Sequence, residues 1–142
     1  MEKYEILNIA TKIRELLTGE FPDNQLLKNQ CKRAAILLDM YFKKKQVNSY
    51  PTAGFITIDG DMNNTNRGHV WNIVYLNDGC YLLDITLTQF SQYLQKEVPD
   101  IVFLPYQEAI QSYSFKPDGK GKYAYRFDDV RLSLVAKVES LA

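Results

Sequence analysis

A histidine and an aspartate on two neighbouring apolar segments form the first pair of residues that could do chemistry. His69 is the only histidine of the chain and stands in the sequence GHVW, and Asp84 follows in the apolar run CYLLDITL. A carboxylate in such a run is costly to bury unless it is paired or hydrogen-bonded. We therefore predict that Asp84 pairs with His69 and fixes the tautomer and orientation of its ring, as the orienting half of a catalytic triad does.

Cys31 is the candidate nucleophile that would complete this triad. It lies near the start of a predicted helix, where unpaired backbone N–H groups and the helix dipole favour a thiolate, and an adjacent imidazolium would favour it further. The alternative is that Cys31 has no chemical role and packs as a small apolar side chain on the buried face of the helix. Together with His69 and Asp84, its position favours acyl transfer, in which the sulfur attacks a carbonyl and the imidazole moves the proton.

Cys80 is the second cysteine, and it stands beside Gly79 within a predicted hairpin. No helix end would lower the pKa of its thiol there, so a packing role is the prediction for it. The chemistry-bearing residues lack the close paired spacing of a structural zinc site. We expect neither a metal nor another cofactor.

The elements that must position these side chains begin with two amphipathic helices. Apolar residues recur at helical spacing over residues 3–18, and Gly19 and Pro22 favour an end soon after. A second apolar stripe ends in Lys43, Lys44 and Lys45, whose charge suits a helix C-terminus, so helix two is expected to end near residue 45.

Strands dominate the middle of the chain. The run GFITI predicts a strand, the polar run DGDMNNTNRG predicts an exposed loop, and HVWNIVYL and CYLLDITL predict a hairpin around Asn77-Asp78-Gly79. Both hairpin strands are almost continuously apolar, so helices should cover at least one face.

The remaining third of the chain mixes short elements. We expect a short helix or turn over 89–96, a strand over 101–104, a helical turn over 106–113, a turn at KPDGKGK and a strand over 123–127. Asp128 or Asp129 should cap a final helix. Helices followed by strands and a closing helix predict an α+β fold, with the N-terminal helices packed on a small antiparallel sheet in one domain spanning residues 1–142.

Composition limits the possible functions. The 142 residues carry 17 basic and 17 acidic side chains, and 46% are hydrophobic. A chain with balanced charge lacks the basic stripe that is typical of nucleic-acid-binding proteins. No stretch of it is as long and apolar as a membrane span. The acidic opening segment also lacks a signal-peptide core. We expect a cytoplasmic protein, or one exported without a signal peptide, that uses neither nucleic acid nor a membrane as a partner.

These residues resemble the papain-like cysteine hydrolase fold in its transglutaminase-like branch. The stretch GHVWNIVYLNDGCYLLDIT is similar to the branch's sequence of His-x-Trp, strand, turn, strand and Asp-x-Thr, and DITLTQF is similar to small bacterial members of unassigned activity. The likeness covers about residues 25 to 90.

The resemblance implies a role for each matching residue. Cys31 would be the nucleophile, His69 the base and then the acid, and Asp84 the orienting group. Gln25 stands where papain-type proteases keep an oxyanion-hole glutamine, and the backbone N–H of Cys31 is the other candidate donor. Trp71 would pack beside the site, and Gln25 and Trp71 together are the predicted substrate-binding residues.

Two local features decide whether the triad can form. Many members of the resembling branch have a glycine just before the cysteine, whereas this chain has Gln30, and we predict that Asn29 caps the helix instead. A three-residue hairpin loop would place Asp84 opposite Asn72, roughly 10 Å along the strand from His69. A glycine bulge at Gly79 or another register is needed to join the two side chains.

The expected function is thiol-dependent amide hydrolysis of a protein or peptide, by glutamine deamidation or peptide cleavage. The resemblance also allows transglutamination and acetyl transfer, but a small domain without an acceptor-binding partner favours hydrolysis. One alternative is a papain-like binding or interaction module without turnover, and its ten tyrosines could line a recognition surface. Another is a peptidase that processes leader peptides.

Overall fold

The helices and one antiparallel sheet form an α+β arrangement, as predicted. A computed structural model describes residues 1–57, 67–126 and 129–141. Within these ranges the elements are α1 (Lys3–Glu20), α2 (Cys31–Lys44), β1 (Ser49–Ile56), β2 (Arg67–Leu76), β3 (Gly79–Asp84), a 3₁₀ turn (Leu87–Phe90), α3 (Ser91–Leu94), β4 (Val102–Pro105), α4 (Tyr106–Tyr113), β5 (Phe115–Lys122) and α5 (Leu132–Glu139). The strand order is β4-β3-β2-β1-β5.

Both faces of the sheet are covered, which explains the apolar character of its central strands. One core joins α1, α2 and α5 to sheet residues such as Val74 and Leu83. The other joins the opposite face, with residues such as Ile73 and Leu82, to the 3₁₀ turn and α4. Because side chains alternate along a strand, neighbouring apolar residues serve different cores.

The first two helices lie close to where the sequence predicts them. Helix α1 continues through Gly19 to Glu20, two residues beyond the predicted end. Helix α2 begins at Cys31, and its N-cap is Gln30, so the prediction of Asn29 as the cap is wrong. Asn29 instead adopts a left-handed backbone conformation with φ 64°, as does Leu27 with φ 56°. These two residues interrupt the regular backbone ahead of the helix, so that Cys31 stands at its first position.

The hairpin between β2 and β3 has a tighter turn than a three-residue loop. Leu76 pairs with Gly79, and Asn72 pairs with Leu83. Gly79 has φ 148°, a backbone conformation that other residues rarely adopt. This register places Asp84 one position nearer to His69 than the three-residue loop would, and on the same face of the sheet.

Several predictions for the later elements need correction. The run KPDGKGK lies within β5 rather than in a turn, and residues 123–126 are not a strand. Strand β5 is the irregular edge of the sheet, with a register shift against β1, and it tolerates a proline and positive-φ glycines there. Asp129 accepts a hydrogen bond from the backbone of Arg126, and the N-cap of α5 is Arg131. Ile58 of the predicted strand, residues 59–66 of the predicted loop, Phe127 and Asp128 lie outside the described residues.

Other predicted bounds are close to those observed. Strand β1 begins earlier than expected, β4 and α4 lie where they were predicted, and the segment after β3 forms the 3₁₀ turn followed by α3. No helix among the described residues is long and apolar enough to cross a membrane.

Candidate active site

His69 and Asp84 form a buried pair at the centre of the candidate site. The Nε2 atom of His69 and the Oδ2 atom of Asp84 are 2.5 Å apart. Both residues are 2% exposed. At this depth water screens little of their attraction, so the carboxylate fixes the ring and stabilises its protonated form.

The other oxygen of Asp84 is held by its own strand end. Oδ1 accepts a hydrogen bond of 2.8 Å from the backbone N–H of Thr86 and one of 3.2 Å from the Thr86 hydroxyl. This short turn ends β3 and leaves Oδ2 aimed at His69. The carboxylate is therefore oriented by both of its oxygens before any substrate arrives.

Cys31 is the first residue of α2, and its thiol interacts with the His69 ring. Burial acts to raise the pKa of this thiol, but the nearby His69 ring and the backbone of Val70 lower it by more. The pKa of Cys31 consequently lies below its ordinary value. The second ring nitrogen, Nδ1, has no partner of conventional geometry among the described residues. Such contacts between nucleophile and base are often loose without substrate.

The pKa of His69 moves in the opposite direction. Burial acts to lower it, but the charge of Asp84 and the hydrogen bond to it, followed by Cys31, raise it to about 9. A lowered thiol pKa beside a raised imidazole pKa favours a thiolate–imidazolium pair. Such a pair would supply the nucleophile and the proton donor that acyl transfer requires.

Three aromatic side chains enclose the imidazole. The ring centroid of Phe90 is 4.9 Å from that of His69 and perpendicular to it, and those of Trp71 and Phe115 are 6.0 Å and 6.3 Å away. Trp71 thus packs beside His69. Its indole is only 1% exposed, so in this structure it supports the ring rather than presenting a surface to a ligand.

Gln25 does not offer a free donor to an oxyanion. Its Nε2 donates to the backbone oxygens of Thr18 at 3.2 Å and Pro22 at 3.0 Å, and both amide hydrogens are thereby used. The backbone N–H of Cys31 remains the better candidate for stabilising an oxyanion, because the first N–H groups of a helix have no partner within it. Cys80 lies away from this cluster, and burial raises the pKa of its thiol.

The segment after Asp84 is bonded to the chain ahead of Cys31, a role that sequence reasoning missed. Gln89 Oε1 accepts a 3.2 Å hydrogen bond from the backbone N–H of Asn29, and the Thr88 hydroxyl donates to the backbone oxygen of Leu26. The chain ahead of Cys31 is therefore held by the chain after Asp84. The polar residues Thr86, Thr88 and Gln89, directly after Asp84, were the available signal for this role.

Arg14 of α1 reinforces the same junction and was also missed. It is 7% exposed and donates to the backbone oxygens of Ile85 and Gln25 and to the Thr88 hydroxyl. A buried guanidinium must satisfy several N–H groups, and these acceptors lie on the two segments that flank Asp84 and precede Cys31. A cation on the apolar face of a predicted helix was the signal that could have revealed it.

Among the described residues, no group of three or more histidine, cysteine, aspartate or glutamate side chains is placed to hold a metal ion. Comparison of the chain with protein-family models, with curated proteins and with solved structures found no match. The function is therefore inferred from the residues of the site itself.

Proposed function

We propose that this protein is a thiol-dependent amide hydrolase of the papain-like fold, in its transglutaminase-like branch. The observation that carries the proposal is the row of Cys31, His69 and Asp84, in which the buried 2.5 Å histidine–aspartate contact accompanies a thiol of lowered pKa. A cysteine with only a packing role would have its pKa raised by burial, as Cys80 does.

The reaction follows from the protonation states of the triad. The Cys31 thiolate attacks the carbonyl carbon of an amide, and the backbone N–H of Cys31 stabilises the resulting oxyanion. The His69 imidazolium gives its proton to the amine nitrogen as the carbon–nitrogen bond breaks, which leaves a thioester and a neutral imidazole. That imidazole then takes a proton from water, whose oxygen attacks the thioester and releases the acid and the thiolate.

A protein or peptide is the proposed substrate, and the amide of a glutamine side chain and a peptide bond are both compatible with this chemistry. The two outcomes differ in their products, since deamidation releases ammonia and cleavage releases a new amino terminus. A leader peptide would be one case of the second outcome.

The test compares the two cysteines of the same chain. Cys80→Ala leaves only Cys31, and Cys31→Ala leaves only Cys80. At neutral pH we expect iodoacetamide to label Cys31 about tenfold faster than Cys80, since the thiolate is the reacting form. Mass spectrometry of peptide libraries incubated with each variant should show deamidation or cleavage with Cys80→Ala and neither with Cys31→Ala.

A non-catalytic binding module predicts another result. In that case Cys31 would react no faster than an ordinary exposed thiol, and Cys31→Ala would leave every activity unchanged. That pair of outcomes would overturn the proposed function.

A further inference from the structure

A polar side chain, Asn72 of β2, is buried in the largely apolar contact between α2 and the sheet. The residue is 1% exposed, and it lies around the same small gap as Ala34, Ala35 and Leu38 of α2. A buried amide is costly unless it is hydrogen-bonded, whereas an apolar side chain would pack at this place without needing a partner. The polar group at this position therefore calls for a reason beyond packing.

The Asn72 side chain is bonded to the backbone of α2. Its Nδ2 donates a 3.0 Å hydrogen bond to the backbone oxygen of Ala35. Within an α-helix that oxygen also accepts from the N–H four residues further on, so the bond from Asn72 is an additional one. Ala34 and Ala35 carry only methyl groups, which lets the backbone of α2 come close enough to β2 for a short side chain to reach it.

The place of this hydrogen bond relates it to the candidate site. Ala35 follows Cys31 by four residues in α2, so the two are neighbours on one face of the helix. Asn72 follows His69 by three residues in β2, and Asn72 and Cys31 line the same gap. The bond therefore joins the helix that carries the sulfur to the strand that carries the imidazole, about one helical turn from the sulfur.

We propose that Asn72 is a positioning residue, which holds α2 against β2 so that the Cys31 sulfur stays beside the His69 ring. Apolar contacts between a helix and a sheet are non-directional and tolerate a small slide or rotation of the helix, whereas a hydrogen bond fixes a distance and an angle. A misplacement of about 1 Å at reacting atoms slows a reaction on the order of a hundredfold. The effect of Asn72 on turnover rests on the proposed function, while its effect on the thiol can be measured without it.

Asn72→Leu separates positioning from stability. Leucine has nearly the shape of asparagine without its N–H donor, and the Ala35 oxygen keeps its partner within the helix, so the urea midpoint should change little. With Cys80→Ala also present, iodoacetamide should label Cys31 about tenfold more slowly at neutral pH, because a thiol displaced from His69 has a higher pKa. Turnover should fall on the order of a hundredfold.

Val74→Ala is the matched control, because Val74 is a buried residue on the same face of β2 and belongs to the core that includes α2. Loss of two methyl groups should lower the urea midpoint by leaving a cavity, while Cys31 is labelled as fast as before. Asn72→Ala removes the same donor as Asn72→Leu without adding an apolar group. It should slow the labelling in the same way, so the expectation does not depend on how well leucine packs.

Failure of this role and failure of the proposed function give different results. If both Asn72 variants leave Cys31 as reactive as it is with Asn72 present, or if Val74→Ala slows the labelling equally, the positioning role is overturned. If the Asn72 variants slow the labelling but the protein with Asn72 present neither deamidates nor cleaves any peptide, Asn72 does hold the sulfur beside the ring. In that case only the proposed hydrolysis is overturned.

Discussion

At the scale of single residues, the proposed reaction depends on the protonation states of Cys31 and His69. The pKa of the Cys31 thiol is lower than its ordinary value, so the thiol ionises at a lower pH than usual. The imidazole keeps its proton up to about pH 9, because its pKa is raised to about 9. The reactive ion pair therefore exists between these two pKa values. Asp84 contributes most of the attraction that opposes the desolvation of His69.

The pH dependence of turnover should follow these two values. Activity should rise as Cys31 ionises and should fall as the pH passes about 9, because His69 then loses the proton needed by the leaving amine. Alkylation of Cys31 in Cys80→Ala should show no fall there, because the thiolate persists. Parallel pH profiles of turnover and of iodoacetamide labelling measure this difference. A simultaneous fall in both would contradict the assignment of His69 as the acid.

Asp84→Asn tests the charge of the carboxylate while keeping an oxygen for the Thr86 donors. The pKa of His69 should fall, the alkaline limb of the activity profile should move to lower pH, and turnover at neutral pH should drop by on the order of a hundredfold. Asp78→Asn, on the exposed turn of the same hairpin, is the matched control. An unmoved alkaline limb in Asp84→Asn would separate Asp84 from the chemistry of His69.

At the scale of elements, two connecting segments determine whether the sulfur meets the ring. The chain ahead of α2 turns through left-handed residues and is held by the segment after β3. Arg14 of α1 bonds to both segments. The site is therefore assembled by loops that are fixed to each other as well as to the sheet.

Gln89→Ala removes the acceptor for the Asn29 N–H just before Cys31. We expect a stability loss of about 1 kcal/mol, together with slower turnover and a raised pKa of the Cys31 thiol, because α2 can then shift against His69. Urea unfolding and the pH profile of alkylation measure the two effects. Gln92→Ala, on the exposed face of α3, should change neither. If Gln89→Ala lost stability but kept the thiol pKa, the contact would be structural only.

Arg14→Lys keeps the charge but loses the planar fork that reaches several oxygens. The backbone oxygens of Ile85 and Gln25 would share fewer donors, so we expect a loss of about 2 kcal/mol in the free energy of unfolding. Lys12→Gln on the exposed face of the same helix is the control and should stay close to the unchanged protein. Equal midpoints for the two variants in urea would show that the guanidinium does not hold this junction.

At the scale of the whole molecule, the sheet separates two cores, and one of them packs around the imidazole. Trp71 belongs to that core and packs on Phe115 of β5 with ring centroids 5.0 Å apart. Gly54 of β1 packs closely against the Trp71 indole and against β5. The indole in turn contacts the rings of Phe115 and His69, so a shift of the edge strand can reach His69 through Trp71. Packing far from the sulfur can therefore change the orientation of the ring.

Gly54→Ala should disturb this connection. An added Cβ would lie 2.3 Å from the Lys116 backbone oxygen and 2.6 Å from the Trp71 ring, and neither can be avoided without moving β5 or the indole. We expect a loss of about 2–3 kcal/mol and a lower thermal midpoint, measured by calorimetry and by tryptophan fluorescence. Gly68→Ala on β2, where an added Cβ meets nothing within 4 Å, is the control. Similar midpoints for both variants would refute the close packing at Gly54.

Much of the architecture could be predicted from the sequence because it depends on local patterns. Helical periodicity located α1 and α2, the Asn-Asp-Gly turn located the hairpin, and the cost of burying a lone carboxylate paired Asp84 with His69. The prediction placed the last strand at 123–127 instead of at β5, because the Pro and Gly residues of β5 are typical of a turn. Pairing with β1 makes these residues part of the sheet.

The sequence by itself therefore determined the candidate reactive residues, because apolar periodicity and a carboxylate within an apolar run can be recognised from the order of residues alone. The tertiary structure alone decided the hairpin register, the left-handed residues before Cys31 and the hydrogen bonds that Arg14 and Gln89 make to distant segments. Each of these depends on contacts between segments distant in sequence, where backbone conformation and hydrogen-bond partners are set by packing rather than by neighbouring residues.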